Sequence, residues 1–209
     1  MGRTVTVTGR GRASAPYDEA TLRLAATARA ANPSDATARA TYAMAAMREA
    51  VLSAGAEPEK LSTTHVTLNP VHDPWPKVVA YEATLGLAVS LADLARVGSL
   101  LVAAIDAGGD GARVDGIVFS HSDPASLEKA ARDAAYADAL AKAEQYAGLA
   151  GQVLGEVRHI AEAAPSGHVR LSKGPMMAMA DSGGAPPVDG GEGSVDAVLT
   201  VAWALGPSA

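Results

Sequence analysis

Val79, Tyr81, Ala83, Leu85, Leu87 and Val89 take alternate positions in VVAYEATLGLAVS, with Glu82 and Thr84 among the residues between them. A period of two sends successive side chains to opposite sides of the chain, so this stretch is a half-buried strand and not a helix. A second strand precedes it at Leu61–His72, where Thr64, Val66 and Leu68 oppose His65, Thr67 and Asn69. Asp73-Pro74-Trp75-Pro76-Lys77 joins the two. With two prolines that cannot donate to a ladder, it reads as a hairpin loop.

The flanks repeat one pattern on both sides. Thr21–Arg29 alternates, with Leu22, Leu24 and Ala26 on one face. Asn32-Pro33-Ser34-Asp35 then opens a helix, with Asn as N-cap, Pro in the first turn and Asp at the positive end. Ala40, Met44, Met47 and Val51 continue it at helical spacing until Gly55. After the hairpin, Ser90-Leu91-Ala92-Asp93 reads as a capping box with Asp in the Glu position. Leu94, Val97, Leu101 and Ile105 follow as far as Gly108-Gly109, and Val114–Ser120 is a strand.

That order predicts an α+β fold: a ferredoxin-like βαββαβ unit over residues 21–120, with an antiparallel sheet and both helices on one face. An N-terminal strand extends it at Thr4–Thr8, where Gly9-Arg10-Gly11 reads as a bulge or bend. A long third helix covers Pro124–Ala147. Leu127, Ala130, Ala134, Ala137 and Ala141 mark one of its faces, and Glu128 with Arg132 and Asp138 with Lys142 are spaced to pair. Gln152–Ala161 and Val195–Leu205 are C-terminal strands. The Gly-, Pro-, Ser- and Met-rich segment between them, about 163–194, is expected to be a long mobile loop.

Of the 209 residues 48% are hydrophobic but only 4% aromatic, with a single Phe. The core must therefore be built from Ala, Val and Leu, each burying little area. Such a core gains area from many elements, and one continuous domain over residues 1–209 is the expectation. The net charge of −6, without any basic run, argues against a nucleic-acid surface. Cysteine is absent, which removes disulfides, thiolate metal sites and Cys nucleophiles. No apolar run is as long as a membrane span. No basic segment followed by an apolar core opens the chain, so a cytoplasmic location is expected if the chain is full length.

The most conspicuous candidate site is FSHSDP, where Ser120, His121, Ser122 and Asp123 are neighbours. A Ser-His-Asp triad needs convergence in space, which neighbours on a strand do not achieve, and no G-x-S-x-G elbow is present. Asp123-Pro124 reads instead as an N-cap followed by Pro at N1. A serine hydrolase on Ser120 or Ser122 is thus the least favoured reading. His65, His72, His121, His159 and His168 form no zinc spacing. Met176, Met177 and Met179 offer thioethers suited to a soft metal such as Cu(I), or alternatively an apolar lid over a small ligand. No cofactor is assigned. Trp75, held at the hairpin tip between prolines, is the candidate contact for a second copy of the chain.

Taken together, TVTVTGRGRASAPYDEATL at 4–22, LSTTHVTLNPVHD at 61–73, AYEATLGLAVSLADLARVGSLLVAAIDAGG at 80–109 and IVFSHSDPASLEKAARDAAYADALAKAEQYA at 117–147 resemble the SIMPL-domain family. Tyr17 stands between Pro16 and Asp18 where that family usually has Pro-Asp adjacent. The family's function is unknown, so the resemblance implies no catalytic residues. It does imply homo-oligomers, ring- or channel-like in some members, and envelope- or stress-related roles with export in bacteria. The expected function is therefore a non-enzymatic, self-assembling scaffold or interaction protein.

Overall fold

A computed structural model describes residues 3–163 and 188–207. Along the chain run β1 (Thr4–Pro16), β2 (Glu19–Ala30), α1 (Pro33–Ser53), β3 (Leu61–His72), β4 (Val78–Leu91), α2 (Val97–Gly108), β5 (Ala112–Ser120), α3 (Pro124–Leu149), β6 (Gln152–Glu162) and β7 (Glu192–Pro207). The fold is α+β with antiparallel sheets. Two compact units divide it. One is Tyr17–Ser122 with the segment ending at Gly190, and the other takes both chain ends, up to Pro16 and from Asp123 and Gly191 onward. The two larger clusters of buried residues follow the same division.

In the first unit the strands lie in the order β3-β4-β2-β5, every neighbour antiparallel, which is the expected βαββαβ topology. Ala20, Leu22, Leu24 and Ala26 of β2, with Leu87, Val89 and Leu91 of β4, share one cluster with Met47 and Val51 of α1 and Val97, Leu100 and Ala104 of α2. Alternate strand residues meet both helices, so α1 and α2 cover the same sheet face. The Asn32 side chain accepts from the Asp35 N–H at 2.9 Å, and Pro33 opens α1. Gly55, at φ 91°, lies in the left-handed region that lets the chain leave the helix. The expected capping box at Ser90–Asp93 is corrected. Ser90 and Leu91 still belong to β4, and Asp93 is itself an N-cap, accepting from Ala95 N–H at 3.1 Å. It caps a 3₁₀ turn, Leu94–Arg96, before α2 begins at Val97.

In the second unit the sheet order is β1-β7-β6, and α3 packs on one face of it. Pairing of β1 with β7 runs without a shift from Thr4↔Ala204 to Pro16↔Glu192, so Gly9-x-Gly11 is not a bulge. A Cβ on Gly9 would lie 2.1 Å from the Ala135 carbonyl oxygen, and one on Gly11 2.2 Å from that of Ala131. The glycines are where α3 comes down onto the strand. The buried face of that helix is Ala131, Ala135, Ala139, Ala143 and Ala147, while Ala130, Ala134, Ala137 and Ala141 are exposed. The sequence pattern thus marked the wrong face, because alanine occurs on every side of α3. The buried stripe keeps a spacing of four along the seam where the helix meets Gly9 and Gly11.

The predicted pairs on α3 do form, Lys142 to Asp138 at 2.6 Å and Arg132 to Glu128 at 3.6 Å. The first also serves β1, which lies at the sheet edge. Asp138 accepts from the Arg10 backbone N–H at 2.8 Å, and Lys142 donates to the Thr8 carbonyl at 3.1 Å. An edge strand otherwise offers such groups to any passing strand.

Candidate functional site

The FSHSDP stretch bridges the end of β5 and the start of α3. Asp18, just before β2, accepts from Ser122 twice: from the backbone N–H at 2.7 Å and from the hydroxyl at 2.5 Å. The Asp18 N–H in turn donates to the Ser120 carbonyl at 3.3 Å. These bonds from Ser122, the hydroxyl first, hold the Asp18 carboxyl below the ordinary aspartate range, and nearby His121 adds to the effect. The His121 ring stacks on Tyr17 with centroids 4.7 Å apart, and Tyr17 also faces Phe119 at 6.3 Å. The Nε2 of His121 is buried without a hydrogen-bond partner among the described residues.

Serine, histidine and aspartate therefore do come close, but with connections that a triad does not use. A triad runs nucleophile to imidazole to carboxylate. Here the serine hydroxyl goes directly to the carboxylate and the imidazole is held by a ring face. The arrangement is a clasp between the entry to β2 and the exit from β5. Asp123 has the role read from the sequence, accepting from the Ser126 N–H at 3.1 Å as the N-cap of α3. The clasp escaped the sequence reading because its halves lie 104 positions apart and neither has local periodicity. Tyr17 was visible only as an interruption between Pro16 and Asp18; its ring is the surface on which His121 rests.

The second candidate is the β3–β4 hairpin. Its loop is closed by Asp73 N–H to the Lys77 carbonyl at 3.0 Å and Lys77 N–H to the Pro74 carbonyl at 2.9 Å. Trp75 lies against His72, ring centroids 4.4 Å apart, yet stays 77% exposed. Pairing of Val66 with Leu85, Leu68 with Ala83 and Pro70 with Tyr81 sets these residues on one face, and Val79 joins them by alternation. The N-terminal half of α1 covers Ala83 through Ala36 and Ala40. Beyond that cover the strip is bare: Val66, Leu68 and Val79 are exposed, as are Val78 and Trp75. β3 also lies at the edge of its sheet.

The other candidates do not add to either place. Met176, Met177 and Met179, and most of the 163–194 loop, lie outside the described residues. Among the described residues no group of three or more His, Asp or Glu side chains converges as a metal would require. None of the described helices is long and apolar enough to cross a membrane.

Comparison with known proteins agrees with the sequence pattern. The family model SIMPL, described as a protein of unknown function (DUF541), matches residues 5–203. The 26 kDa periplasmic immunogenic protein of Brucella melitensis biotype 1 is 27% identical over 216 aligned residues, covering 96% of this chain and 84% of that protein. The protein of the same name from Brucella abortus strain S19 matches to the same extent. A match from β1 through the greater part of β7 takes in both compact units, and on that extent the chain belongs to the SIMPL family.

Proposed function

We propose that this protein is a non-enzymatic scaffold or interaction protein of the cell envelope that assembles with copies of itself, and that the β3–β4 hairpin is a contact in the assembly. The carrying observation is the bare apolar strip of Val66, Leu68 and Val79 on a hairpin with an open edge, together with the exposed Trp75 in its loop. A long edge strand with exposed apolar side chains is a template for pairing unless something covers it. The indole of Trp75 offers a large, rigid anchor of the type that dominates interface energies. An envelope location is supported by the relatives, whose name calls them periplasmic. A closed, ring-like arrangement is the form implied by the family resemblance, and closure would use up the open edges.

Light scattering coupled to size exclusion tests the reading. The native chain, 21.0 kDa as a monomer, should elute as a defined larger species. Trp75→Ala and Leu68→Lys should shift it toward smaller species on dilution, with unchanged circular dichroism. A native chain that stays monomeric at high concentration would overturn the proposal, and so would variants that assemble as tightly as the parent.

A further inference from the structure

β5 pairs with β2 only as far as Ala26↔Ala112, so Thr27–Ala30 has a partner strand, β4, on one side alone. Around that open edge lies a cleft of about 540 Å³, a size typical of small-molecule sites. Small residues, Ala28, Ala43 and Gly111, share its lining. A Cβ on Gly111 would stand 3.2 Å from the Thr27 carbonyl oxygen and 3.4 Å from the Ala43 Cβ, a crowded fit in the turn before β5. Three arginines line the cleft, Arg29, Arg39 and Arg113, with the acidic residues Glu82 and Asp110.

These charges are not balanced in pairs. Arg29 is matched by Glu82 at 2.5 Å. Arg113 donates to the carbonyls of Asp110 at 2.9 Å and Ala112 at 2.6 Å, which orients its guanidinium without neutralising it. Arg39, on the exposed side of α1, has no carboxylate within ion-pair distance among the described residues. With Arg29 and Glu82 paired, Arg39, Arg113 and the carboxylate of Asp110 remain on the lining, so the cleft carries one excess positive charge beside free strand backbone in a chain whose net charge is −6. A guanidinium presents a planar fork that fits an oxyanion with two parallel hydrogen bonds.

We propose that this cleft binds a small organic anion, with a carboxylate or phosphate group seated between Arg39 and Arg113 and its other polar atoms on the β2 edge at Thr27–Arg29. The site is separate from the hairpin contact and does not depend on assembly. Amide-detected NMR titration of the native protein tests it with succinate, inorganic phosphate and the neutral analogue succinamide. Saturable shifts confined to Thr27–Arg29, Arg39, Gly111 and Arg113 are expected with one or both anions. Succinate alone would identify a carboxylate site, phosphate alone a phosphate site. Arg39→Gln removes a side chain that holds nothing else in place and should weaken binding at least about tenfold, as should Arg113→Gln if its spectrum shows a native fold. The proposal fails if neither anion gives saturable shifts at tens of millimolar, if succinamide binds as well as succinate, or if Arg39→Gln binds the anion as tightly as the parent.

Discussion

Two carboxylates show how single residues join distant parts of one unit. Asp18 is bonded by Ser122, and Asp138 by Lys142 and then by the backbone of Arg10. These bonds lower both groups below the ordinary value of 3.8. A folded pKa below the unfolded one means that the charged form supports the fold. The contribution is complete above the ordinary carboxylate range and is lost as pH falls through the depressed folded values. Asp18→Asn and Asp138→Asn should each lower the melting temperature at neutral pH. The gap from the parent should close in acid, as pH falls through those depressed values. A gap that stays constant with pH would show that these bonds are not charge-assisted. Asp123 makes a different prediction. Its carboxylate caps α3 through Ser126, so Asp123→Ala should cost about 0.5–2 kcal/mol in urea unfolding. Ser120→Ala, which removes no hydrogen bond of this clasp, should cost less than Ser122→Ala.

At the scale of elements, the seam between α3 and β1 depends on absent side chains. Each buried Ala methyl contributes only about 0.8 kcal/mol, against roughly 1.5–3 kcal/mol for Leu or Val, so this seam gains from closeness of approach and not from side-chain area. Gly11→Val would drive a branched side chain into the backbone of α3 at Ala131 and Ala135. The expected cost is about 1–3 kcal/mol or more, read as a lower urea midpoint, whereas Ala134→Val on the exposed face should be nearly silent. Equal midpoints for the two variants would refute the seam. The same elements show what the sequence could reveal. Val79–Val89 was legible because one face is buried and the other is not, so the alternation carries the answer. The third helix was legible as a helix, but not its face, since alanine on all sides leaves no moment to read. Gly9-x-Gly11 resembled a bulge because a local reading sees two missing side chains and not the helix, far away in sequence, that requires their absence. The hairpin and Trp75 could be placed from two prolines, but its contact with His72 could not, because ring geometry has no sequence pattern. The arginine cleft was invisible for a related reason: its residues come from four elements and the turn before β5.

At the scale of the whole molecule, the two units differ in how the chain supplies them. Tyr17–Ser122 is continuous and contains a complete four-stranded sheet with both of its helices; among the described residues, Val188 of the segment ending at Gly190 packs against the same core. The other unit needs both ends of the chain, because β7 is the central strand and β1 is one of its two partners. Without β1, the backbone of β7 loses one ladder and the Ala131, Ala135 and Ala139 seam loses Gly9 and Gly11. A fragment of residues 17–122 should therefore unfold cooperatively in urea. Residues 123–209 alone should show no such transition. Restoring β1 does not require the middle of the chain, since Thr4 pairs with Ala204 and the Leu205 N–H reaches the Arg3 carbonyl at 2.9 Å. Running residues 123–209 directly into residues 1–16 through a short Gly/Ser link would thus turn β7 and β1 into an ordinary antiparallel hairpin. That rejoined fragment should recover a cooperative transition and helical circular dichroism, and Gly11→Val within it should abolish both. The assignment of β1 to this unit is wrong if 123–209 unfolds as cooperatively without β1 as with it. It is equally wrong if the rejoined fragment stays unfolded while 17–122 folds.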